Sequence, residues 1–178
     1  MEASIKNIIF DFGGVILNID YKLTEQAFAK LGLKDFDRIY SRATQEELFD
    51  VFEKGSISPT DFRNGIKKFI HDDVSDSQID EAWNSMLLDL PVERVHLLDK
   101  LKTKYRIFLL SNTNQIHCDA FSANMQKQLS RDIFSDAFEK AYFSHKVKMR
   151  KPNAEIFELV LQENNLRKEE TLFFDDSI

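Results

Sequence analysis

Residues 8–15, Ile8-Ile9-Phe10-Asp11-Phe12-Gly13-Gly14-Val15, decide how the rest of the chain is read. Ile8, Ile9 and Phe10 form a short apolar, largely β-branched run, the kind buried on both faces of a parallel sheet. Asp11 then falls at the C-terminal end of that strand. Gly13 and Gly14 let the chain turn there and approach a ligand closely. In open α/β sheets the carboxyl ends of the strands are where ligands bind. Taken alone, the segment is equally a buried strand that ends in a solvated aspartate and a glycine turn, so the remaining chain must decide.

Asp11-Phe12-Gly13 also spells the metal-binding triplet of protein kinases. A kinase needs a glycine-rich loop, a strand lysine and a His-Arg-Asp loop upstream of that triplet. Only Met1 to Phe10 precede Asp11, and His-Arg-Asp occurs nowhere in the chain, which excludes the kinase reading.

The whole chain has 178 residues, 43% hydrophobic and 30% charged, room for one core or a core with a small appendage. A net charge of -6 and a pI near 5.3 argue against a nucleic-acid partner, which needs clustered Lys and Arg. They leave open a small phosphorylated substrate, which needs only one or two cations in a pocket. Cys118 is the sole cysteine, so no internal disulfide can form and a reducing compartment fits. No apolar run approaches the roughly 20 residues of a membrane span, and the N-terminus lacks a signal-peptide pattern. The expectation is a soluble cytoplasmic protein with no membrane partner.

From about Lys22 to Leu90 the pattern is helical throughout. Residues 44–55 begin with a Thr44/Glu47 capping box and end at Gly55, with Leu48, Val51 and Phe52 on one face. Ser58 is an N-cap before Pro59, and Phe62, Ile66 and Phe69 continue that helix. Ser75 and Gln78 form a second capping box. Pro91 then opens a helix with Val92, Val95, Leu98 and Leu101 at every third residue. Ile107 to Leu110 form a second apolar strand, followed by a helix around residues 117–129. Residues 141–144 form a short strand, and a helix after Pro152 carries Ile156, Phe157, Val160 and Leu161 on one face. Residues 171–178 repeat the buried-strand pattern. One strand, a helical block, then alternating helices and strands predict an α/β fold with a parallel sheet. A final strand this apolar calls for a further helix and strand to cover it, so the C-terminal end of the core is expected to be missing from the chain.

Each apolar strand with a polar end carries it at its C-terminal end: Asp11, then Ser111-Asn112, then Asp175-Asp176. Lys151 joins them from a loop before a helix. In a parallel sheet these ends share one edge. Three carboxylates suit Mg²⁺, a hard cation that prefers oxygen ligands. Ser111 and Lys151 would bind phosphoryl oxygens, and one carboxylate could attack phosphorus. Each item has a plainer reading: Ser111-Asn112 as a helix cap, Lys151-Pro152 as surface, Asp175-Asp176 as a helix N-terminus. The four together, in this order, point to a site.

The segments Phe10–Val15, Leu109–Thr113, Arg150–Phe157 and Phe173–Ser177 resemble motifs one to four of the haloacid dehalogenase (HAD) superfamily, across essentially the whole chain. The resemblance implies a Rossmann-like core over 1–18 and 91–178, with a helical C1-type cap over 19–90. It is nearest to sugar-phosphate phosphatases of the α-glucose-1-phosphatase type, which share a first-motif glycine and a later stretch like Ile19-Asp20-Tyr21. Carried over, Asp11 is the nucleophile that forms an aspartyl-phosphate and also ligates Mg²⁺. Gly13 offers its carbonyl to the metal. Ser111 and Asn112 bind phosphate, and Lys151 neutralises charge on nucleophile and phosphate. Asp176 ligates Mg²⁺, with Asp175 as its neighbour or a water-mediated ligand.

The departure from the pattern is Gly13, where most phosphatases of this superfamily have an aspartate that protonates the leaving oxygen and later activates water. Loss of a general acid/base typically lowers rates by ~10²–10⁴-fold. Three routes remain open: an acidic anomeric leaving group, which the sugar-1-phosphate resemblance favours; a cap residue as substitute, Asp20 first by position; or weak catalysis. Arg38, Arg42 and Trp83 can contact substrate from the cap, but amphipathic helices carry such residues routinely. The four histidines show no metal spacing. A non-catalytic binder of phosphorylated metabolites is the alternative that Gly13 keeps open. A receiver-like signalling domain is disfavoured, because receivers carry the acidic pair first and the phosphoacceptor later. A dehalogenase and a phosphomutase fit the first motif less well.

Overall fold

The computed structural model describes residues 4–33, 48–70 and 73–176. Its centre is a parallel sheet of β1 (Asn7–Phe10), β2 (Arg106–Ser111), β3 (Lys140–Phe143) and β4 (Thr171–Phe174), in the order β3-β2-β1-β4. The strands are nearly continuous apolar runs because helices cover both faces. Ile8, Phe10, Ile107 and Leu109 point into one hydrophobic cluster, and Ile9, Phe108 and Leu110 into another on the opposite face. This is the period-two alternation of a strand buried on both sides.

Helices α5 (Val92–Leu101), α6 (Gln115–Leu129) and α7 (Ile133–Asp136) supply the first cluster with Val95, Leu98, Phe121, Met125 and Ile133. Val92 of the expected every-third stripe is exposed. After β3 comes the short α8 (Ser144–Val147), and α9 (Ala154–Glu163) packs Ile156 and Val160 on the second face. The α6 helix is capped by Asn114, which accepts the His117 N–H at 3.0 Å; Ser111 and Asn112 are therefore not its cap.

Between β1 and α5 the described residues form four helices with a core of their own: α1 (Tyr21–Lys30), α2 (Leu48–Glu53), α3 (Pro59–Lys67) and α4 (Asp76–Asn84). Trp83 is its hub, with Phe28, Phe49 and Phe62 around it, and Phe52 stacks on Phe62 at 4.3 Å. Ser58 with Asp61 and Ser75 with Gln78 both form complete capping boxes, which start α3 and α4 where the sequence predicts. Thr44, Glu47, Arg38 and Arg42 lie outside the described residues. Ile116 of α6 joins this second core, so the helical block is fastened to the helix that follows β2.

Among the described residues β4 pairs with β1 alone, and Leu172 is 40% and Phe174 48% exposed. Their side chains share a face with Ile8 and Phe10, and Phe174 stacks on Phe10 at 5.7 Å, yet the outer side of both remains in solvent. The apolar run reports the strand correctly.

Candidate active site

The register Phe10↔Leu109 and Phe10↔Phe174 sets Asp11 and Asp175 one residue past paired positions on adjacent strands. The Asp11 N–H donates to the Phe174 carbonyl at 2.8 Å, continuing the ladder to the site. Lys151 Nζ lies 2.9 Å from Asp11 Oδ2 and 2.5 Å from Asp175 Oδ2, with the Phe173 ring 5.2 Å below it. Lys151 and Asp11 are each only 9% exposed, so the lysine is placed between two carboxylates and screened little by water. Burial pushes the Asp11 carboxyl above its usual range, against the pull of Lys151 and of the Phe12 N–H that Oδ1 accepts at 2.7 Å.

Lys151 is held from behind by Asn112, whose side-chain amide accepts the Lys151 N–H at 2.8 Å and donates to the Lys151 carbonyl at 2.9 Å. Asn112 thus enters the site first as the clamp on Lys151, with one N–H of its amide making no hydrogen bond among the described residues. Ser111 is buried at the end of β2, its hydroxyl 3.5 Å from the Asn112 carbonyl.

Asp11, Asp175 and Asp176 each offer a carboxylate oxygen within 4.8 Å of the others. All-oxygen donors at this spacing fit a hard divalent cation such as Mg²⁺. The glycine loop is shaped to this cluster. Gly14 has φ +75°, and a Cβ there would lie 2.1 Å from Asp176 Oδ2, so no side chain is admitted. At Gly13 the constraint is milder: the nearest atom to a built Cβ is the flexible end of Ile19, at 3.2 Å.

Asp11, Gly13, Asn112, Lys151, Asp175 and Asp176 form the floor of a cavity of about 590 Å³, which Tyr21, Glu53, Trp83, Met86, His117 and Arg150 also line; Ser111 lies behind this floor and does not line it. Sequence reasoning did not select Tyr21, Glu53, Met86 or Arg150; Trp83 it named without choosing. Asp20 goes elsewhere. It caps α1, its Oδ1 accepting the Lys22 N–H at 3.0 Å, and it does not line the cavity, so it is not placed to stand in for the missing aspartate. Tyr21, more than half exposed overall, has its hydroxyl pushed above the ordinary value by burial and then by Asp176, Glu53, Asp11 and Asp175. His117 is buried and satisfied. Its Nε2–H donates to the Trp83 carbonyl at 3.0 Å, Asn114 donates to Nδ1 at 3.2 Å, and the ring stacks on Trp83 at 4.8 Å. Burial holds its pKa down to about 4, so it is neutral.

A parallel α/β sheet with a lysine-paired aspartate and an acidic cluster at its C-terminal edge is a site suited to a divalent cation and an anionic substrate. The chain belongs to the haloacid dehalogenase-like hydrolases, whose family pattern it matches over residues 5–178. It is similar to a D-ribitol-5-phosphate phosphatase of Bacteroides thetaiotaomicron, 31% identical over 97% of this chain and 83% of that protein. It is also similar to the sesquiterpene phosphatase astK of Aspergillus oryzae, 27% identical over 100% of this chain and 84% of that one. Among solved structures, it superposes on a HAD family enzyme of B. thetaiotaomicron, in an aspartate-to-alanine variant complexed with magnesium and inorganic phosphate. That match has a TM-score of 0.91 and 40% identity, over 98% of this chain and 86% of that one. The same enzyme has been solved with magnesium alone. Among the described residues, no helix is long and apolar enough to cross a membrane.

Proposed function

We propose that the chain hydrolyses a small polyhydroxylated phosphate ester, a sugar or sugar-alcohol phosphate, through an aspartyl-phosphate on Asp11. The observation that carries this reading is Lys151 held between Asp11 and Asp175, with Asp176 beside them, at the floor of one cavity. The Asp11 oxygen nearest Lys151 attacks phosphorus, and the ester oxygen leaves on the opposite side. Lys151 neutralises nucleophile and phosphoryl charge, held in place by the Asn112 clamp. Ser111 and the remaining N–H of Asn112 supply further donors to the phosphoryl oxygens. Asp11, Asp176 and the Gly13 carbonyl would hold Mg²⁺, with Asp175 as a neighbouring or water-mediated ligand. When bound, Mg²⁺ supplies positive charge against the equatorial phosphoryl oxygens.

The helical block over 19–90 acts as the cap on a core formed by 1–18 and 91–178. Its side of the cavity carries Glu53, Tyr21 and Trp83, a mix of carboxylate, hydroxyl and aromatic surface suited to a polyol. A relative named for ribitol 5-phosphate supports this substrate class. Such an ester has an ordinary alkoxide leaving group, so the anomeric-oxygen explanation of Gly13 does not serve it.

The test is phosphate release from ribitol 5-phosphate, glucose 1-phosphate, acetyl phosphate, nucleoside monophosphates and p-nitrophenyl phosphate, with and without Mg²⁺. Mg²⁺-dependent release from a polyol or sugar phosphate is expected, and Asp11→Asn should lower it by at least ~10⁴-fold. Full activity of Asp11→Asn would refute the assignment of the nucleophile.

A further inference from the structure

We propose that Glu53, at the C-terminal end of α2, supplies the two proton transfers that Gly13 cannot. This rests on the phosphatase reading above and names the acid/base group of that same site.

Glu53 is tied to the floor through short contacts. Its backbone carbonyl accepts from Ser144 Oγ at 2.7 Å, and the same hydroxyl accepts the Thr113 N–H at 2.9 Å. Thr113 follows Asn112, the clamp on Lys151, which in turn meets Asp11. Just beyond Glu53 the chain turns at Gly55, with φ +62°, where a Cβ would lie 2.1 Å from the His145 carbonyl oxygen. The end of α2 is therefore locked against the sheet edge, which is what a group acting on a reacting atom requires.

The other titratable groups of the cavity are committed. Asp11 and Asp175 share Lys151, and Asp176 completes the cation cluster. Arg150 stays charged at any working pH. His117 has both ring nitrogens engaged, to Trp83 and Asn114. Tyr21 is displaced in the wrong direction: its hydroxyl, already weakly acidic, is made weaker still, whereas a useful acid/base titrates near working pH.

Glu53 is displaced the right way. Burial pushes its carboxyl above the usual range, Arg150 opposes this, and Asp50 adds to it. Its Oε2 is buried 3.2 Å from Arg150 Nη2 in a geometry that makes no hydrogen bond. The close bond from Arg150 goes to Asp50 instead, at 2.8 Å, and Lys54 also binds Asp50, at 2.6 Å. For Asp50, burial alone would raise the carboxyl, but the bonds from Lys54 and Arg150 hold it below its usual range. Two carboxylates beside one arginine are thus driven apart, the pattern that separates an acid from a permanently ionised neighbour.

The chemistry balances. As the Asp11 oxygen bonds to phosphorus and the ester P–O bond breaks, the leaving oxygen takes the Glu53 proton and departs as an alcohol. Glu53, now a carboxylate, then takes a proton from water as that oxygen bonds to phosphorus and the bond to Asp11 breaks. Phosphate leaves, and both side chains return to their starting states.

The deciding readout is dependence on the leaving group. Glu53→Gln should lower kcat/KM on a pentitol 5-phosphate by ~10²–10⁴-fold, but on p-nitrophenyl phosphate, whose phenolate leaves unaided, by less than about threefold. Gly13→Asp in the Glu53→Gln background should recover part of the loss on the pentitol ester. Equal losses on both esters would overturn the proposal and assign Glu53 to substrate binding or packing. So would a leaving-group-dependent loss found in Tyr21→Phe and not in Glu53→Gln. Wild-type protein with no Mg²⁺-dependent release from either ester would instead overturn the phosphatase reading itself.

Discussion

The floor and the roof of the cavity both pair opposite charges, but they differ in how those pairs are hydrogen-bonded. On the floor, Lys151 stands within 3 Å of two carboxylates, and every buried charge has a partner of the other sign. On the roof, Glu53 Oε2 is buried beside Arg150 without a hydrogen bond, and Tyr21 faces four carboxylates. The floor is arranged for a fixed charge distribution that meets a dianionic phosphoryl group. The roof is arranged so that a proton can be held or given up. The contrast shows how one cavity combines electrostatic stabilisation with acid/base chemistry: strand ends supply the first, and an inserted helix the second.

Breaking the floor should have the larger effect. Lys151→Met removes the cation between Asp11 and Asp175, and kcat/KM should fall by ~10²–10³-fold in steady-state assays. Within the metal loop the two glycines should separate sharply. Gly14→Ala forces its methyl into Asp176, and Mg²⁺ affinity measured by calorimetry should weaken by ~10–100-fold. Gly13→Ala meets only the flexible end of Ile19 and should bind Mg²⁺ nearly as wild type does. Equal affinities in both variants would show that Asp176 does not depend on the loop.

The junction of floor and roof predicts a pH effect on stability. His117 titrates at about 4 in the fold against 6.5 when free, so below pH 6.5 the unfolded chain takes up a proton that the folded one refuses. Stability attributable to His117 is complete above pH 6.5 and declines until about pH 4, by on the order of 3 kcal/mol in total. Melting temperatures of wild type should fall across that window more steeply than those of His117→Gln. Parallel curves would mean that His117 does not carry the acid sensitivity.

The floor was readable in the sequence because its chemistry follows from topology. An apolar run with Asp11, Ser111-Asn112 or Asp175 at its end needs only a parallel sheet to bring those ends together. The capping boxes at Ser58 and Ser75 were readable for a similar reason, being local hydrogen-bond patterns. The roof was not. Glu53 looks like any charged position on an amphipathic helix, and only the Ser144 hydroxyl and Gly55 turn, both remote in sequence from the metal cluster, fix where it sits. Asp20 lay in the expected place along the chain but was drawn into capping α1.

The central claim, transfer of the phosphoryl group to Asp11 and then to water, is tested most directly by the stereochemical course at phosphorus. A phosphorothioate ester made chiral with oxygen isotopes would be hydrolysed by the wild-type protein with Mg²⁺ in water of the remaining isotope, and the configuration of the released thiophosphate determined. Each in-line displacement inverts phosphorus. Two displacements through Asp11 predict net retention. Net inversion would mean that water attacks the ester directly, and that Asp11 is a ligand and base rather than the nucleophile.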